Sequence, residues 1–274
     1  MTVMKSIDIQ LMALMQTKVL KMQDKTLAGK VALVTGGSRG LGAQTALALA
    51  DLGADVAFTY VSAYEKAQHV VAQLRDKGVR AFAIQSDNAD MASAKPMVEE
   101  VIQQFGRLDI LVNNAAIAVQ GQTVDDPALN TAQLDRQWQI NVLGSVAVTR
   151  AAAPVISNGG RIIFIGSLLG THVPFPGVAD YAGSKAALIG YAKGLARDLG
   201  PRNITANVVQ PGVMPTDMAH SVLGDEVPAA LLDLHPIRRI ATLEEVAGTV
   251  CFLAGPHAGY ITGDVISVAG GTNA

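Results

Sequence analysis

The chain has 274 residues, of which 50% are hydrophobic and 16% charged, a size and composition that fit one large α/β domain or two small ones. Its 21 basic and 23 acidic residues give a formal net charge of −2, which provides no electrostatic surface for nucleic acid. The single cysteine, Cys251, excludes an intrachain disulfide, and the absence of any run of eighteen apolar residues argues against a membrane-spanning helix.

Residues 1–26 precede the first clear strand and have an irregular pattern. Apolar residues are scattered among Asp8, Gln10 and Gln16, so the segment lacks the continuous apolar core and small-residue cleavage site of a signal peptide. We interpret it as an amphipathic helical extension outside the domain. The alternative is a cloning remnant or an upstream start codon, with Met22 as the natural start. Because no export signal is recognised, we expect a cytoplasmic protein.

From Leu27 onward, short apolar runs alternate with segments of helical periodicity. The predicted strands are residues 30–35, 54–60, 79–84, 109–112, 161–166, 204–209 and 260–268. The predicted helices are residues 41–52, 63–77, 90–105, 131–150, a segment through Tyr181 to about 199, and 243–254. Strands separated by helices of this length indicate right-handed βαβ units and a parallel sheet. Because the strands are apolar without alternation, we expect helices on both faces of that sheet.

The sequence shows no internal linker and no repeat. We therefore predict an α/β fold with one doubly wound domain over residues 27–274, built on a parallel sheet of about seven strands. Residues 211–240 contain four prolines and are interpreted as a small substrate lobe.

A glycine-rich turn, Thr35-Gly-Gly-Ser-Arg-Gly-Leu-Gly42, follows the first strand and opens the first helix. Glycines allow a tight turn and a close approach of the backbone to a pyrophosphate, at a helix N-terminus that favours anions. The spacing G-x-x-x-G-x-G in this position predicts a dinucleotide site, and a plain turn is the alternative.

Tyr181 and Lys185 are spaced i, i+4 on a predicted helix, so their side chains share one face. Ser167 follows the apolar strand 161–166, at the carboxyl edge of the sheet where open α/β folds bind ligands. A phenol beside an ammonium suits proton donation. The alternative is a solvent-facing pair on an amphipathic helix.

Five ordered landmarks together resemble the short-chain dehydrogenase/reductase family, close to 3-oxoacyl-carrier-protein reductases and related ketone reductases. They are the glycine turn, Asn113-Asn-Ala-Ala116, Asn141, Ser167 with Tyr181-x-x-x-Lys185, and Pro211-Gly-Val-Met-Pro-Thr216. The resemblance covers about residues 27–272 and implies a Rossmann fold and an oxidoreductase acting on CH–OH groups. Two departures are Ala116, where the family usually has glycine, and the long N-terminal extension.

The resemblance assigns catalytic roles to four residues. Tyr181 is expected to be the general acid in ketone reduction and the base in alcohol oxidation. Lys185 is expected to lower the pKa of that phenol and to hold the nicotinamide ribose. Ser167 is expected to hydrogen-bond the substrate oxygen. Asn141 is expected to anchor a water that links Lys185 to solvent; the alternative is an amide that satisfies local backbone.

The end of the second strand bears on the choice of cofactor. NAD enzymes usually place an acid there, whereas this chain has Tyr60-Val-Ser62 and no acid before Glu65. Arg39 is placed to meet a 2′-phosphate, so NADP(H) is favoured over NAD(H). The alternative for Arg39 is a solvated surface charge. The expected cofactor-binding residues are Gly36, Ser38, Arg39, Gly40, Leu41, Gly42, Tyr60, Val61, Ser62, Asp87, Asn88, Asn114, Ala115, Ala116, Tyr181, Lys185, Pro211, Gly212, Met214 and Thr216.

The substrate is poorly defined by the sequence. His172, Val173, Phe175 and Met214 are expected to border the pocket, which indicates a small to medium apolar ketone or the corresponding alcohol. Each could equally be a packing residue. The histidines show no spacing typical of a metal site.

The Tyr181 helix contains three interior glycines, Gly183, Gly190 and Gly194, each costing roughly 0.5–1 kcal/mol relative to alanine. They would allow another helix to approach closely, and the resemblance implies a homotetramer, or a homodimer, built partly on this helix. Packing of the helix on its own sheet is the alternative.

Two other functional classes are kept open. One is a catalytically silent protein that senses NADP(H) and acts through partners, although the intact catalytic set argues against it. The other is an enzyme of different reaction, such as a nucleotide-sugar epimerase, which needs a larger substrate region than residues 211–240. Within the reductase hypothesis, the alternative is an NAD-dependent alcohol dehydrogenase.

Overall fold

The computed structural model describes residues 25–224 and 228–274, so nearly all of the extension predicted for residues 1–26 lies outside the described part. Seven parallel strands form one sheet in the order β3-β2-β1-β4-β5-β6-β7. The strands are β1 (Val31–Val34), β2 (Asp55–Tyr60), β3 (Ala81–Gln85), β4 (Leu108–Asn113), β5 (Ile156–Ile165), β6 (Thr205–Pro211) and β7 (Val265–Val268). This order confirms the predicted doubly wound, Rossmann-type sheet.

The main helices connect the strands and cover both faces of the sheet. They are α1 (Gly40–Asp51), α2 (Tyr64–Asp76), α3 (Ala94–Phe105), α4 (Thr131–Trp138), α5 (Ser145–Ala152), α6 (Ala179–Leu199), α7 (Asp217–Leu223), α8 (Ala229–Leu232) and α9 (Leu243–Ala254). Within the described residues, no helix is both long and apolar enough to cross a membrane.

Two hydrophobic clusters lie on opposite faces of the sheet. One packs α1, α2 and α9 around residues such as Phe58 and Val34, and it contains Cys251. The other packs α3, α5 and α6 around residues such as Phe164 and Leu111. Coverage on both faces explains why the central strands are continuously apolar.

Several predicted boundaries were wrong. Residues 131–150 do not form one regular helix, because a π-helix (Gln139–Gly144) separates α4 from α5. The helix predicted from residue 90 begins with a 3₁₀ turn, Met91–Ser93. Strand β5 begins earlier than predicted, and β7 occupies only the end of the predicted segment 260–268, because residues 261–264 are engaged in loop hydrogen bonds to β6. The proline-containing lobe includes two short helices, α7 and α8.

The strand order reverses between β1 and β4, and ligands bind outside the carboxyl ends of strands at such a point. Val34 is in register with Phe58 and Val112, and Ile165 with Val209. The segments that follow these strands therefore meet at one edge of the sheet.

Candidate active site

The glycine turn is fixed against the segment after β4. The Asn114 side-chain amide donates to the carbonyl oxygens of Thr35 and Gly36, at 2.8 and 3.1 Å. The Thr35 hydroxyl accepts from the backbone N–H groups of Asn114 and Ala115, at 2.9 and 3.0 Å. A side chain at Gly42 would place its Cβ 2.2 Å from the Gly36 carbonyl oxygen, so this packing requires glycine.

The N-terminus of α1 has the character of an anion site. Its N-cap residue, Arg39, makes no side-chain capping bond, and the first turn contains no acidic residue. The N–H groups of the first turn thus lack an internal anionic partner, at the positive end of a twelve-residue helix. These features fit the pyrophosphate of a dinucleotide.

Tyr181 and Ser167 come together at the carboxyl edge of the sheet. Tyr181 is buried in the first turns of α6, and the Ser167 side chain lies near enough to its hydroxyl to influence the pKa of the phenol. The Ser167 hydroxyl also accepts from the N–H of Leu169 at 3.2 Å, which fixes the serine on a 3₁₀ turn directly after β5. Burial raises the pKa of Tyr181, and the nearby Ser167 hydroxyl partly opposes that shift.

Lys185 lies one turn after Tyr181 on α6, as the spacing predicted. Its ammonium donates to the Ile165 carbonyl oxygen at 2.9 Å and lies 5.8 Å from the centre of the Tyr181 ring. Burial lowers the pKa of Lys185 to about 8. The pKa of Tyr181 is raised and not lowered as expected, because burial of the phenol is the largest influence on it.

Asn141 lies in the π-helix and its side chain holds the segment after β4. The amide oxygen accepts from the N–H of Ile117, and the amide nitrogen donates to the carbonyl of the same residue, both at 2.9 Å. The nitrogen also donates to the Ser184 hydroxyl at 3.1 Å, which joins the π-helix to α6. The side chain of Asn141 therefore holds protein backbone, as in the alternative considered above, although across 24 residues and not locally.

Asn88 and Asp87 are occupied by protein contacts that the sequence did not predict. Asn88 donates from its side chain to the Ile140 carbonyl at 2.7 Å, within the π-helix. Asp87 accepts from the N–H of Ala89 and pairs with Arg136 at 2.7 Å. The bond to the Ala89 backbone, together with Arg136, lowers the pKa of Asp87 although burial opposes the shift.

The remaining residues predicted at the cofactor site lie where the strands end. Tyr60 is buried, while Val61 and Ser62 are exposed beside it. Ala115 packs closely against Gly36, and Ala116 follows it. Gly212 donates its N–H to the Val268 carbonyl at 3.0 Å, next to the buried Pro211. Thr216 approaches the glycine turn, since a Cβ at Gly40 would lie 3.7 Å from its Cγ2.

Arg39 has an acidic partner that comes from outside the end of the second strand, in addition to the solvent exposure considered as the alternative. Its guanidinium donates to a carboxylate oxygen of Asp217 at 2.9 Å, and both side chains are exposed. Asp217 is 178 residues away in the sequence, so neither local pattern nor spacing could have revealed the pair.

The residues predicted to border the substrate are of two kinds. His172, Val173 and Phe175 are exposed in the loop that leads from Ser167 to α6. Met214 is half-buried and packs against the hydrophobic cluster of α1 and α9, which is the packing alternative. Within residues 25–224 and 228–274, no cluster of metal-ligating side chains is present.

Gln210 is a buried residue that sequence reasoning missed. It lies at the end of β6, is 1% exposed, and its amide oxygen contacts the Thr171 hydroxyl at 3.2 Å. It supports the turn that contains Ser167. A glutamine directly before Pro211, in a strand that is otherwise mostly apolar, was the signal available in the sequence.

Comparisons with known proteins extend over all of these elements. The family model described as enoyl-(acyl carrier protein) reductase matches residues 36–273. A 3-oxoacyl-[acyl-carrier-protein] reductase of Staphylococcus aureus is 41% identical over 244 residues, which cover 88% of this chain and 97% of that protein.

Solved structures also match most of the chain. A blue fluorescent protein from a metagenomic library, in complex with NADPH, has a TM-score of 0.86 and 45% identity, covering 91% of this chain and all of its own. A short-chain dehydrogenase from Burkholderia cenocepacia J2315, in complex with NADP, has a TM-score of 0.85 and 46% identity with the same coverage. Residues 36–273, which the family model matches, include the Ser167 turn, helix α6 and the glycine turn from Gly36 onward.

Proposed function

Because the chain belongs to the short-chain dehydrogenase/reductase family of oxidoreductases, we propose that it reduces a ketone or another carbonyl compound to a secondary alcohol with NADPH, reversibly. The observation that carries this proposal is the placement of Tyr181 beside Ser167, with Lys185 buried on the next turn of the same helix, at the sheet edge that also holds the glycine turn.

The binding site for the cofactor follows from the residues present. The uncapped N-terminus of α1 and the glycine turn would hold the pyrophosphate, while Lys185 and the segment from Pro211 to Thr216 would hold the nicotinamide end. When bound, the nicotinamide supplies or accepts the hydride.

The protein residues orient the substrate and move the proton. The Ser167 hydroxyl, fixed by the Leu169 N–H, is placed to donate a hydrogen bond to the carbonyl oxygen of the substrate. Tyr181 donates its phenolic proton to that oxygen as the oxygen gains negative charge. Burial raises the pKa of Tyr181 and therefore keeps the phenol protonated, which suits the reductive direction.

Lys185 and Asn141 complete the proposed catalytic set. The ammonium of Lys185 lies beside the Tyr181 ring and favours the phenolate that forms when the proton leaves. Asn141 joins the π-helix to Ile117 and Ser184, and through Ser184 to the same helix that carries Tyr181 and Lys185. We assign it the positioning of this helix, and its role in anchoring a water that links Lys185 to solvent stays a prediction.

NADP(H) is the proposed cofactor for two reasons. The end of β2 presents Tyr60, Val61 and Ser62 without a carboxylate, and Arg39 lies on the glycine turn where a 2′-phosphate would be read. The two solved structures with NADPH and NADP support the same choice.

The proposed reduction of a carbonyl compound with NADPH is tested by a panel of ketones and alcohols with both cofactors, followed through the absorbance of reduced nicotinamide. No turnover, or turnover with NADH alone, would contradict it.

The exposed loop residues His172, Val173 and Phe175 support a small to medium apolar ketone as substrate. Two of the three are hydrophobic and lie on the segment that follows Ser167. Within the substrate panel, turnover should rise with the apolar surface of the ketone and should fall when Phe175 is replaced by Ser.

We also propose that the protein is a homotetramer, or a homodimer, built partly on α6. Gly190 and Gly194 are exposed on this helix, and a Cβ at either position would meet no atom of its own chain within 4 Å. Their presence is therefore not explained by packing within the subunit. Gly183 differs, because a Cβ there would lie 3.2 Å from the Trp138 ring.

The catalytic domain is proposed to begin after the extension of residues 1–26. Leu27 is 2% exposed and its N–H donates to the Leu52 carbonyl at 2.9 Å, so the packed chain is established by this residue. A chain that starts at Met22 is expected to match the full chain in thermal midpoint and turnover. A chain that starts at Lys30 loses Leu27 and should be destabilised by about 1.5–3 kcal/mol. Insolubility of the Met22 form would show that the extension packs on the domain or a neighbouring subunit.

A further inference from the structure

Asp217 is the first residue of α7 and contacts the glycine turn from the other side of the proposed cofactor site. Its carboxylate accepts a hydrogen bond from Arg39 at 2.9 Å, and the two side chains are 65% and 63% exposed. Arg39 is the N-cap residue of α1. One ion pair therefore joins the proposed nucleotide-binding turn to the substrate lobe.

The position of Asp217 is fixed by its neighbour. The Thr216 hydroxyl accepts from the N–H of Ala219 at 3.1 Å and so caps α7. The methyl group of Thr216 lies close to Gly40, the residue after Arg39. These two contacts of the Thr216 side chain place the start of α7 beside the glycine turn, so the position of Asp217 does not depend on the ion pair alone.

We propose that Asp217 sets the strength of the preference for NADP(H), because its carboxylate competes with the 2′-phosphate of the cofactor for the guanidinium of Arg39. This inference rests on the proposed use of NADP(H). In NAD enzymes of this fold an acid at the end of the second strand repels the phosphate. Here that position has no acid, and a carboxylate reaches Arg39 from α7 instead.

The competition moderates the preference without reversing it. A guanidinium has five N–H donors in a planar fork, and the ion pair with Asp217 engages Nη1. A phosphate carries more charge than a carboxylate and forms stronger charge-assisted bonds with arginine. The 2′-phosphate of NADPH therefore binds Arg39 although Asp217 weakens that binding slightly. NADH has no 2′-phosphate, so its affinity does not depend on Asp217.

The decisive variant is Asp217→Asn, which keeps the size of the side chain and one acceptor oxygen, replaces the other oxygen by an NH₂ donor and removes the charge. We expect it to tighten NADPH binding by about two- to fivefold, the range that exposed ion pairs support. NADH binding should stay unchanged. Added salt should reduce the gain, because both groups are exposed. Dissociation constants from isothermal titration calorimetry, without substrate, measure the effect independently of turnover.

Asp51→Asn is the matched control. Asp51 lies at the other end of α1 and forms an exposed ion pair with Lys77 at 2.6 Å. The Asp51→Asn substitution removes the same charge, from the helix that Arg39 caps but away from Arg39 itself. It should therefore change neither the NADPH nor the NADH dissociation constant. A similar gain in NADPH affinity from this control would show a general effect of net charge and overturn the proposal.

Arg39→Ala separates this inference from the proposed function. If NADP(H) is the cofactor, Arg39→Ala weakens NADPH binding about tenfold and leaves NADH nearly unchanged. In that background, Asp217→Asn should give no further gain. The inference fails, with the function intact, if Arg39→Ala behaves as expected but Asp217→Asn changes neither dissociation constant. It fails equally if Asp217→Asn changes the dissociation constants for NADPH and NADH by the same factor. The function itself fails if the unaltered protein binds NADH more tightly than NADPH.

Discussion

Tyr181 is the residue on which the proposed chemistry depends, and its replacement by Phe removes a single hydroxyl. The phenol lies near the Ser167 hydroxyl, and burial favours its protonated form. We expect Tyr181→Phe to lose at least about a hundredfold in kcat, the low end for general acid catalysis, while the NADPH dissociation constant is retained. Steady-state kinetics and a cofactor titration measure the two quantities.

Tyr191→Phe provides a matched control for this prediction. Tyr191 lies on the same helix, ten residues later, and its ring packs edge-on against Phe164 at 5.9 Å between centroids. Removing its hydroxyl should leave kcat within about twofold, since the group is remote from Ser167. Comparable turnover in the two variants would contradict the role assigned to Tyr181.

Lys185 makes stability depend on pH in a defined window. Its pKa in the folded protein is about 8, below the usual value of 10.5, because burial disfavours the ammonium. Between these values the unfolded chain binds more protons than the folded one, so this residue makes the folded state relatively more stable as pH rises. From pH 7 to 9.5 the gain is about 2 kcal/mol.

Replacing Lys185 by Met should remove that dependence in the cofactor-free protein. The free energy of unfolding is measured by urea titration for both proteins. The value for the unaltered protein minus the value for the variant should rise by about 2 kcal/mol between pH 7 and 9.5. The comparison cancels other groups that titrate there, including Tyr181. Parallel pH profiles for the two proteins would show that Lys185 is not depressed.

At the scale of residues, local spacing predicted part of the site well. Tyr181 and Lys185 share a helix, and Ser167 follows a buried strand. The helical spacing and the position at a strand end were therefore sufficient to identify these three residues as candidates. Partners from distant segments were not accessible to such reasoning. The Ile165 carbonyl that binds Lys185 and the Asp217 carboxylate that binds Arg39 depend on how the folded chain brings remote segments together.

The π-helix between α4 and α5 contains Asn141 and packs against the loop after β3. Asn88 approaches so closely that a Cβ on Gly144 would lie 2.0 Å from the Asn88 carbonyl oxygen. Gly144→Ala should therefore destabilise the protein by at least about 1–3 kcal/mol, the cost typical of overpacking a core. Turnover should fall as well, because Asn141 lies within this element. Urea unfolding and steady-state kinetics measure the two effects.

Gly248→Ala is the control for the π-helix variant. Gly248 lies in the interior of α9, is exposed, and has open space where a Cβ would be added. The same substitution there should leave turnover intact and raise stability by roughly 0.5–1 kcal/mol, since alanine is the better helix former. If Gly144→Ala behaved like this control, the contact with Asn88 would not be what determines the π-helix.

At the scale of elements, hydrophobic period predicted the existence and type of the main strands and helices but not their irregularities. Residues 131–150 have one continuous helical pattern, and the interruption arises because the Asn88 side chain, from a loop after β3, binds the Ile140 carbonyl. The length of β7 was overpredicted because Ile261 and Thr262 are β-branched residues typical of strands. In the structure they lie in a loop, where the Ile261 carbonyl and the Thr262 hydroxyl accept hydrogen bonds from β6.

For the whole molecule, the alternation of strands and helices was sufficient to predict the doubly wound sheet. Right-handed connections leave few ways to arrange such units, and the observed strand order is one of them. The assembly of subunits is a different problem, because a glycine on a helix surface has the same sequence signature whether it faces solvent or a neighbouring subunit. The exposed Gly190 and Gly194 are the residues that can distinguish these cases.

Gly190→Leu tests the proposed assembly through α6. A Cβ at Gly190 meets no atom of its own subunit within 4 Å, so the isolated fold accommodates the larger side chain. If a second subunit packs its helix closely against this position, leucine separates the two and the assembly should dissociate into smaller species. Light scattering after size-exclusion chromatography gives the mass of each form. Lys66→Leu on α2, also exposed, adds a similar apolar surface away from α6 and should leave the mass unchanged. A Gly190→Leu protein of unchanged mass and higher stability would show that Gly190 faces solvent, because relief of the glycine's conformational cost would then be the main effect.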